Sequence, residues 1–174
     1  LKIVNGIIEN KNVETEDIAA HIDRRIELHG SVYKIRKMSG FAFVLLRTKS
    51  AVIQCIYNEE FSNFNLEMLK EESCIKLTAD VIKEERSKTG WELRMIDVVI
   101  LSEPNAESPI VINNKKVDTS LENMLDYRPI TLRNEKERAI FKIQEGICNG
   151  FRKFLLEQKF TEIHTPKIVF AGAE

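Results

Sequence analysis

Cysteine is scarce in this 174-residue chain, and Cys55, Cys74 and Cys148 are odd in number and far apart. No Cys-x-x-Cys occurs, which excludes a disulfide scaffold and a cysteine-rich zinc site and makes the reducing cytoplasm the expected setting. Histidine is as rare: His21, His29 and His164 lack the spacing of metal ligands, so no metal site is expected. Long apolar runs are missing too. A run such as FAFVLL at 41–46 falls far short of the ~20 residues a membrane helix needs. The opening LKIVNGIIENKN has no charged segment leading into a long apolar one, so neither a signal peptide nor a membrane partner is expected. Charge of either sign is not in excess. With 26 Lys and Arg against 27 Asp and Glu, the net charge of −1 excludes a blanket basic coat for polyanions.

What is present is the composition of a soluble globular chain, 43% hydrophobic and 30% charged, long enough for one domain or a small domain with part of another. Its charges are unevenly distributed. Arg24, Arg25, Lys34, Arg36, Lys37, Arg47 and Lys49 follow one another with Glu27 as the only acid among them, and residues 59–72 then hold five acids and one lysine. A local basic face on a neutral protein is suited to a specific polyanion contact.

Residues 14–23 read as a short helix behind a Thr15 cap. The pattern then changes to strands. Ile26, Leu28 and Val32 alternate around Gly30, a position suited to a bulge or bend. Residues 41–46 are apolar on both faces, as in a strand covered on both sides, and pair through the turn at 48–50 with a second apolar strand at 51–57. Phe61, Phe64 and Met68 recur at helical spacing, which predicts an amphipathic helix with an acidic outer face. Ile75, Leu77, Ala79 and Val81 mark a half-buried strand, and the turn at 87–90 leads into a fifth at 91–101. Three strands, a helix and two strands are the order of an OB-fold, a five-stranded barrel whose second and third strands bind oligonucleotides or oligosaccharides. Residues 102–134, with Pro104, Pro109 and Pro129, read as a linker or docking segment. Asn134 and Glu137 then resemble a capping box. It opens a long amphipathic helix striped by Ile140, Ile143, Ile147, Phe151 and Phe154. Gly146 and Gly150 within it are either tolerated defects or the mark of a close backbone approach.

A long helix followed by FTEIHTP and an apolar strand resembles motif 1 of class II aminoacyl-tRNA synthetases, with Pro166 at the motif's proline. A barrel directly upstream resembles the aspartate, asparagine and lysine subclass. FRKFLLEQKFTEIHTPKIV and LDYRPITLRN are most similar to aspartyl-tRNA synthetases of the archaeal and eukaryotic type. The resemblance implies a mainly β chain with α structure. It comprises an N-terminal extension (1–24), an OB-fold anticodon-binding domain (25–102), a hinge (103–134) and the first helix and strand of an α+β catalytic domain (135–174). FTEIHTPKIVFAGAE does not read as a natural tail, so the chain is expected to be a fragment without the later ATP-holding motifs, inactive alone and with no catalytic residue of its own.

By the same resemblance, Phe43 stacks on the middle anticodon base, Gln54 reads that base's edge, Arg36 lies near the anticodon backbone and Glu92 contacts the anticodon. Glu174 would touch the amino group of aspartate. Pro166, Phe151 and Phe154 would belong to the motif 1 dimer interface. The full-length enzyme would use ATP and Mg2+, bind tRNA through its anticodon loop, and form a homodimer in the cytoplasm. Arg47-Thr48-Lys49-Ser50 and Met38-Ser39-Gly40 depart from the Arg-Asp and Leu-Gly-Gly turns of the family. Without the resemblance, Phe43 on an apolar strand reads first as barrel core, Arg36 and Glu92 could equally be ordinary surface charges, and Pro166 the end of a strand. Asparaginyl- and lysyl-tRNA synthetases, and a free-standing OB-fold binder of single-stranded nucleic acid, are the alternatives.

Overall fold

The computed structural model describes residues 2–4, 7–9, 13–87 and 89–165. The chain divides into two compact units, Leu1–Glu107 and Ser108–Glu174. A two-stranded ribbon, β1 (Lys2–Val4) and β2 (Ile7–Glu9), opens the first. Five strands then close a barrel: β3 (Arg25–Lys37), β4 (Ala42–Arg47), β5 (Val52–Tyr57), β6 (Cys74–Lys83) and β7 (Trp91–Ser102). Their order around the barrel is β3-β4-β5-β7-β6. All neighbours are antiparallel except β5 and β7, which meet in a short parallel pairing. This is the OB-fold topology expected from the strand order.

Closure depends on the length of β3. Its first half pairs with β6 and its second half with β4, and Ser31 is in register with both Cys74 and Arg47. Gly30 stands at this handover. A Cβ there would lie 2.7 Å from Leu46 Cγ and 2.8 Å from the Arg47 carbonyl oxygen, so the crossing strand passes where only a hydrogen fits. The register shifts between Val32 and Lys34, a bulge that bends the strand further. Alternate residues point inward and are buried: Leu28 and Val32, Val44 and Leu46, Ile75 and Leu77, Leu93 and Met95, with Ile18 packed among them. Each such side chain contributes about 1.5–3 kcal/mol on burial. Cys55 is one of them, and burial pushes its thiol up to about 12, so it packs as a small apolar group.

Several local expectations change. The 14–23 segment is a 3-10 helix, Thr15–His21, flanked by Glu14 with no side-chain cap, because the Thr15 hydroxyl bonds that of Thr48 at 2.8 Å. Strand β4 is not covered on both sides: Ala42, Val44 and Leu46 are buried, whereas Phe43 and Leu45 face outward and are half-buried. The amphipathic helix expected around 59–72 is absent. A loop and one 3-10 turn, Leu66–Met68, take its place. Asn58 and Asn65 decide this, since their side-chain oxygens accept from Glu60 N and Glu67 N two residues on and form turns that compete with a helix. The loop is tied to β7 by Ser62 Oγ to the Met95 carbonyl and Asn63 N to the Ile96 carbonyl, both 2.7 Å.

In the second unit, the expected linker contains two short helices, α1 (Leu121–Asp126) and α2 (Arg128–Thr131). Ser120 caps α1, and Pro129 lies in the first turn of α2, where its missing N–H costs no hydrogen bond. Helix α3 (Glu135–Glu157) spans roughly 35 Å. Asn134 caps it through Oδ1, which accepts from Lys136 N and Glu137 N, while Nδ2 donates to the carbonyls of Ile112 and Asn114. No residue of α3 is buried, and Ile143, Ile147 and Phe151 are 64%, 68% and 65% exposed. A Cβ on Gly146 or Gly150 would meet nothing within 4 Å, so among the described residues no backbone approaches there.

Candidate nucleic-acid interface

The strand registers assemble the candidate residues. Arg36 on β3 is opposite Phe43 on β4, Phe43 is opposite Ile56 on β5, and Ile56 is opposite Arg94 on β7. Phe43, Ile56 and Arg94 each stand between two buried residues and so point outward. Arg36 is exposed and, directly opposite Phe43, shares that face. A second outward row runs beside the first: Lys34 opposite Leu45, and Leu45 opposite Gln54. One residue back from the Cys55–Leu93 pair, Gln54 and Glu92 are neighbours on β5 and β7. Arg36, Phe43, Gln54 and Glu92 therefore come together on one continuous face.

Phe43 is half-buried and lies outside the barrel core, which removes the core reading of that residue. Its ring meets Phe41 edge to face, centroids 5.2 Å apart, leaving an outward aromatic platform. Gln54 is exposed, and as a diagonal neighbour its Cα lies about 7–8 Å away. Among the described residues its side-chain amide has no hydrogen-bond partner, so both its donor and its acceptor are available. Partial burial, and Glu84 nearby, raise the carboxyl of Glu92 above its ordinary value, with Arg94 opposing.

The basic cluster is smaller than its count. Arg25 forms a two-point bond with Asp80 at 2.7 and 2.9 Å, Lys37 pairs with Glu67, and Arg47 pairs with Glu72 in a largely buried contact. Among the described residues Arg36 and Lys34 have no such carboxylate partner, which leaves the positive potential beside Phe43. Leu45 and Ile56, which the sequence pattern assigned to buried strands, are half-buried on this outer face and extend its apolar centre. Strict burial alternation was the missing signal, since an apolar outer row conceals it. Phe151 and Phe154 lie on α3 in the other unit, 65% and 57% exposed. Pro166 and Glu174 lie outside the described residues.

No helix among the described residues is long and apolar enough to cross a membrane. Residues 26–101 match the family described as OB-fold nucleic acid binding domain, and residues 120–174 match tRNA synthetases class II (D, K and N). The chain is 34% identical over 162 residues to a Thermus thermophilus protein named aspartate–tRNA(Asp/Asn) ligase, covering 93% of this chain and 37% of that protein. It is 35% identical over 158 residues to a Picrophilus torridus protein named aspartate–tRNA(Asp) ligase, covering 90% and 37%. The solved asparaginyl-tRNA synthetase of Pyrococcus horikoshii in complex with asparaginyl-adenylate superposes with a TM-score of 0.78 at 24% identity, covering 92% of this chain and 37% of that one. The chain thus spans little more than a third of the length of the curated relatives it matches. An OB-fold nucleic acid binding domain and a segment of the class II tRNA synthetases (D, K and N) are matched in succession along one sequence.

Proposed function

We propose that this chain is the anticodon-binding part, with the start of the catalytic domain, of an aspartate–tRNA ligase. The observation that carries the reading is the outward face on which Arg36, Phe43, Gln54 and Glu92 meet. A single-stranded base needs an aromatic surface to stack on and a donor–acceptor pair at its edge, and Phe43 and Gln54 supply both side by side. Arg36 takes the backbone, and Glu92, held nearer to protonation than an ordinary carboxylate, offers a hydrogen-bonding edge to a neighbouring base. The domain limits follow: barrel at 25–102, hinge at 103–134, catalytic start at 135–174.

The whole enzyme, on this reading, activates aspartate with ATP and Mg2+ and transfers it to tRNA in the cytoplasm. ATP and magnesium belong to the whole enzyme's catalytic domain, and Glu174 is assigned to the amino group of aspartate by the family resemblance alone. The exposed stripe of α3, with Phe151 and Phe154, forms the homodimer interface together with Pro166. The test is a titration with RNA stem–loops bearing aspartate, asparagine or unrelated anticodons. Tight binding should require uridine at the middle position. Equal affinity for all loops would overturn the reading. The difference between aspartate and asparagine loops separates a strict enzyme from a relaxed one.

A further inference from the structure

The row that contains Phe43 has a cation at each end. Arg36 stands on β3 and Arg94 on β7, three strands apart, or about 14 Å along the surface, with Phe43 and Ile56 between them. Arg94 is exposed on the outer face, yet it is not a loose surface charge. Its guanidinium carbon lies 5.6 Å from the centroid of the Phe61 ring. Phe61 is fixed in turn, because its loop is tied to the Met95 and Ile96 carbonyls immediately after Arg94. A ring under the guanidinium holds it without consuming its hydrogen bonds, which lie in the plane of the fork.

The acids around Arg94 leave it available. Asp80, directly opposite on β6, is taken by the two-point bond from Arg25. Glu92, two residues earlier on the strand, and Asp80 both feel the charge of Arg94, but neither forms an ion pair with it. Among the described residues Arg94 forms no ion pair. A pre-positioned fork of donors beside an aromatic platform is suited to a phosphate, which it meets with two parallel bonds.

Resting on the anticodon reading above, we propose that Arg94, braced on Phe61, binds the RNA backbone on the far side of the stacked base from Arg36. The two arginines then clamp successive phosphates while the base between them lies on Phe43. Phe61 is a positioning residue.

The test measures affinity of the 174-residue chain for RNA stem–loops as a function of salt, with a thermal melt for each variant. Arg94→Gln should weaken every loop by about tenfold, the effect of losing one charged hydrogen-bonding contact. The salt slope should fall by about 0.7, the value for one phosphate on a single strand, at an unchanged melting temperature. Arg94→Lys keeps the charge and should keep the slope while losing part of the affinity. Phe61→Leu should weaken binding by itself and add nothing to Arg94→Gln, since both act through one group. A loss confined to one loop sequence would mean that Arg94 reads a base and would overturn the phosphate assignment. Fully additive losses would overturn the bracing by Phe61. Unchanged affinity and slope in Arg94→Gln, with Phe43→Ala still weakened, would overturn this inference alone. Unchanged binding by Phe43→Ala would remove the anticodon reading and the clamp together.

Discussion

Phe41 and Phe43 meet edge to face, centroids 5.2 Å apart and planes at 87°, so the proposed stacking platform is braced by a neighbour from just before its own strand. The core lies on the other face of β4, where Leu46 is fully buried. The two faces predict opposite phenotypes. Phe43→Ala should weaken RNA binding by about 1–3 kcal/mol with a small change in melting temperature. Leu46→Ala should cost about 2–5 kcal/mol of stability through the cavity it leaves. Melting and RNA titration of both proteins check this, and a poorly folded Phe43→Ala would return that ring to the core.

Leu46 also sets the constraint on Gly30. A methyl group there meets Leu46 Cγ at 2.7 Å and, more seriously, the Arg47 backbone oxygen at 2.8 Å. A side chain can turn aside, but the carbonyl belongs to the β3–β4 ladder and moves only with the strand. Gly30→Ala should therefore destabilise the barrel by about 1–3 kcal/mol, the usual cost of overpacking. Chemical denaturation measures it. A variant as stable as the parent would mean that the strand crossing is looser than its geometry.

The strand at 74–83 was legible because Ile75, Leu77, Ala79 and Val81 alternate with polar residues, whereas the apolar hairpin arms at 41–57 were legible as strands but not as to which face is buried. The 59–72 segment was not legible. Its apolar residues do recur at helical spacing, but Asn58 and Asn65 bond their own backbone, and the sequence period carries no information about that competition. Phe61 consequently ends beneath Arg94, and Phe64 packs against Tyr57 with ring centroids 5.2 Å apart. The charges were legible only as a count. Arg25 finds Asp80 and Arg47 finds Glu72 through registers set by barrel closure, and no local pattern announces partners that distant.

Glu92 ties the candidate face to pH. Its carboxyl is raised above the ordinary value, so the folded chain holds that proton more tightly than the unfolded chain does. Stability from this group is greatest below the ordinary carboxylate range and is lost as pH rises through the raised value, leaving the full penalty at neutrality. Glu92→Gln removes the penalty. Its melting temperature should exceed the parent's at neutral pH, and the gap should close on acidification. Melts across the acid range would show it, and a gap that is flat or widens on acidification would refute the stated cause.

Helix α3 presents Ile143, Ile147, Phe151 and Phe154 to solvent along one stripe. That much apolar surface on one helix is expected to be covered in the functional assembly. Sedimentation should show association that grows with protein concentration. Phe151→Glu with Phe154→Glu should abolish it, leaving the barrel's melting and RNA affinity unaltered. Persistence of the associated species in the double variant would place the contact elsewhere.

Asn134 connects the start of α3 to the segment before it, and the two ends of its amide do different work. Oδ1 caps the helix, whereas Nδ2 donates to the Ile112 and Asn114 carbonyls at 2.8 Å each, with the residue 2% exposed. At an ordinary exposed cap, Asp replaces Asn without loss, and its charge favours the helix N-terminus. Here Asp would point an oxygen at two carbonyl oxygens and bury its charge among them. Asn134→Asp should therefore destabilise the second unit at neutral pH by more than the ~1 kcal/mol of a lost cap. Acidification should restore part of that loss, because a protonated carboxyl can donate again to one carbonyl. Hydrogen exchange reads the effect locally: amides at 110–117 and in the first turn of α3 should open faster, while those of the barrel hold. Parental exchange in Asn134→Asp at neutral pH would mean that the helix cap alone, and not the tie to Ile112 and Asn114, holds this segment in place.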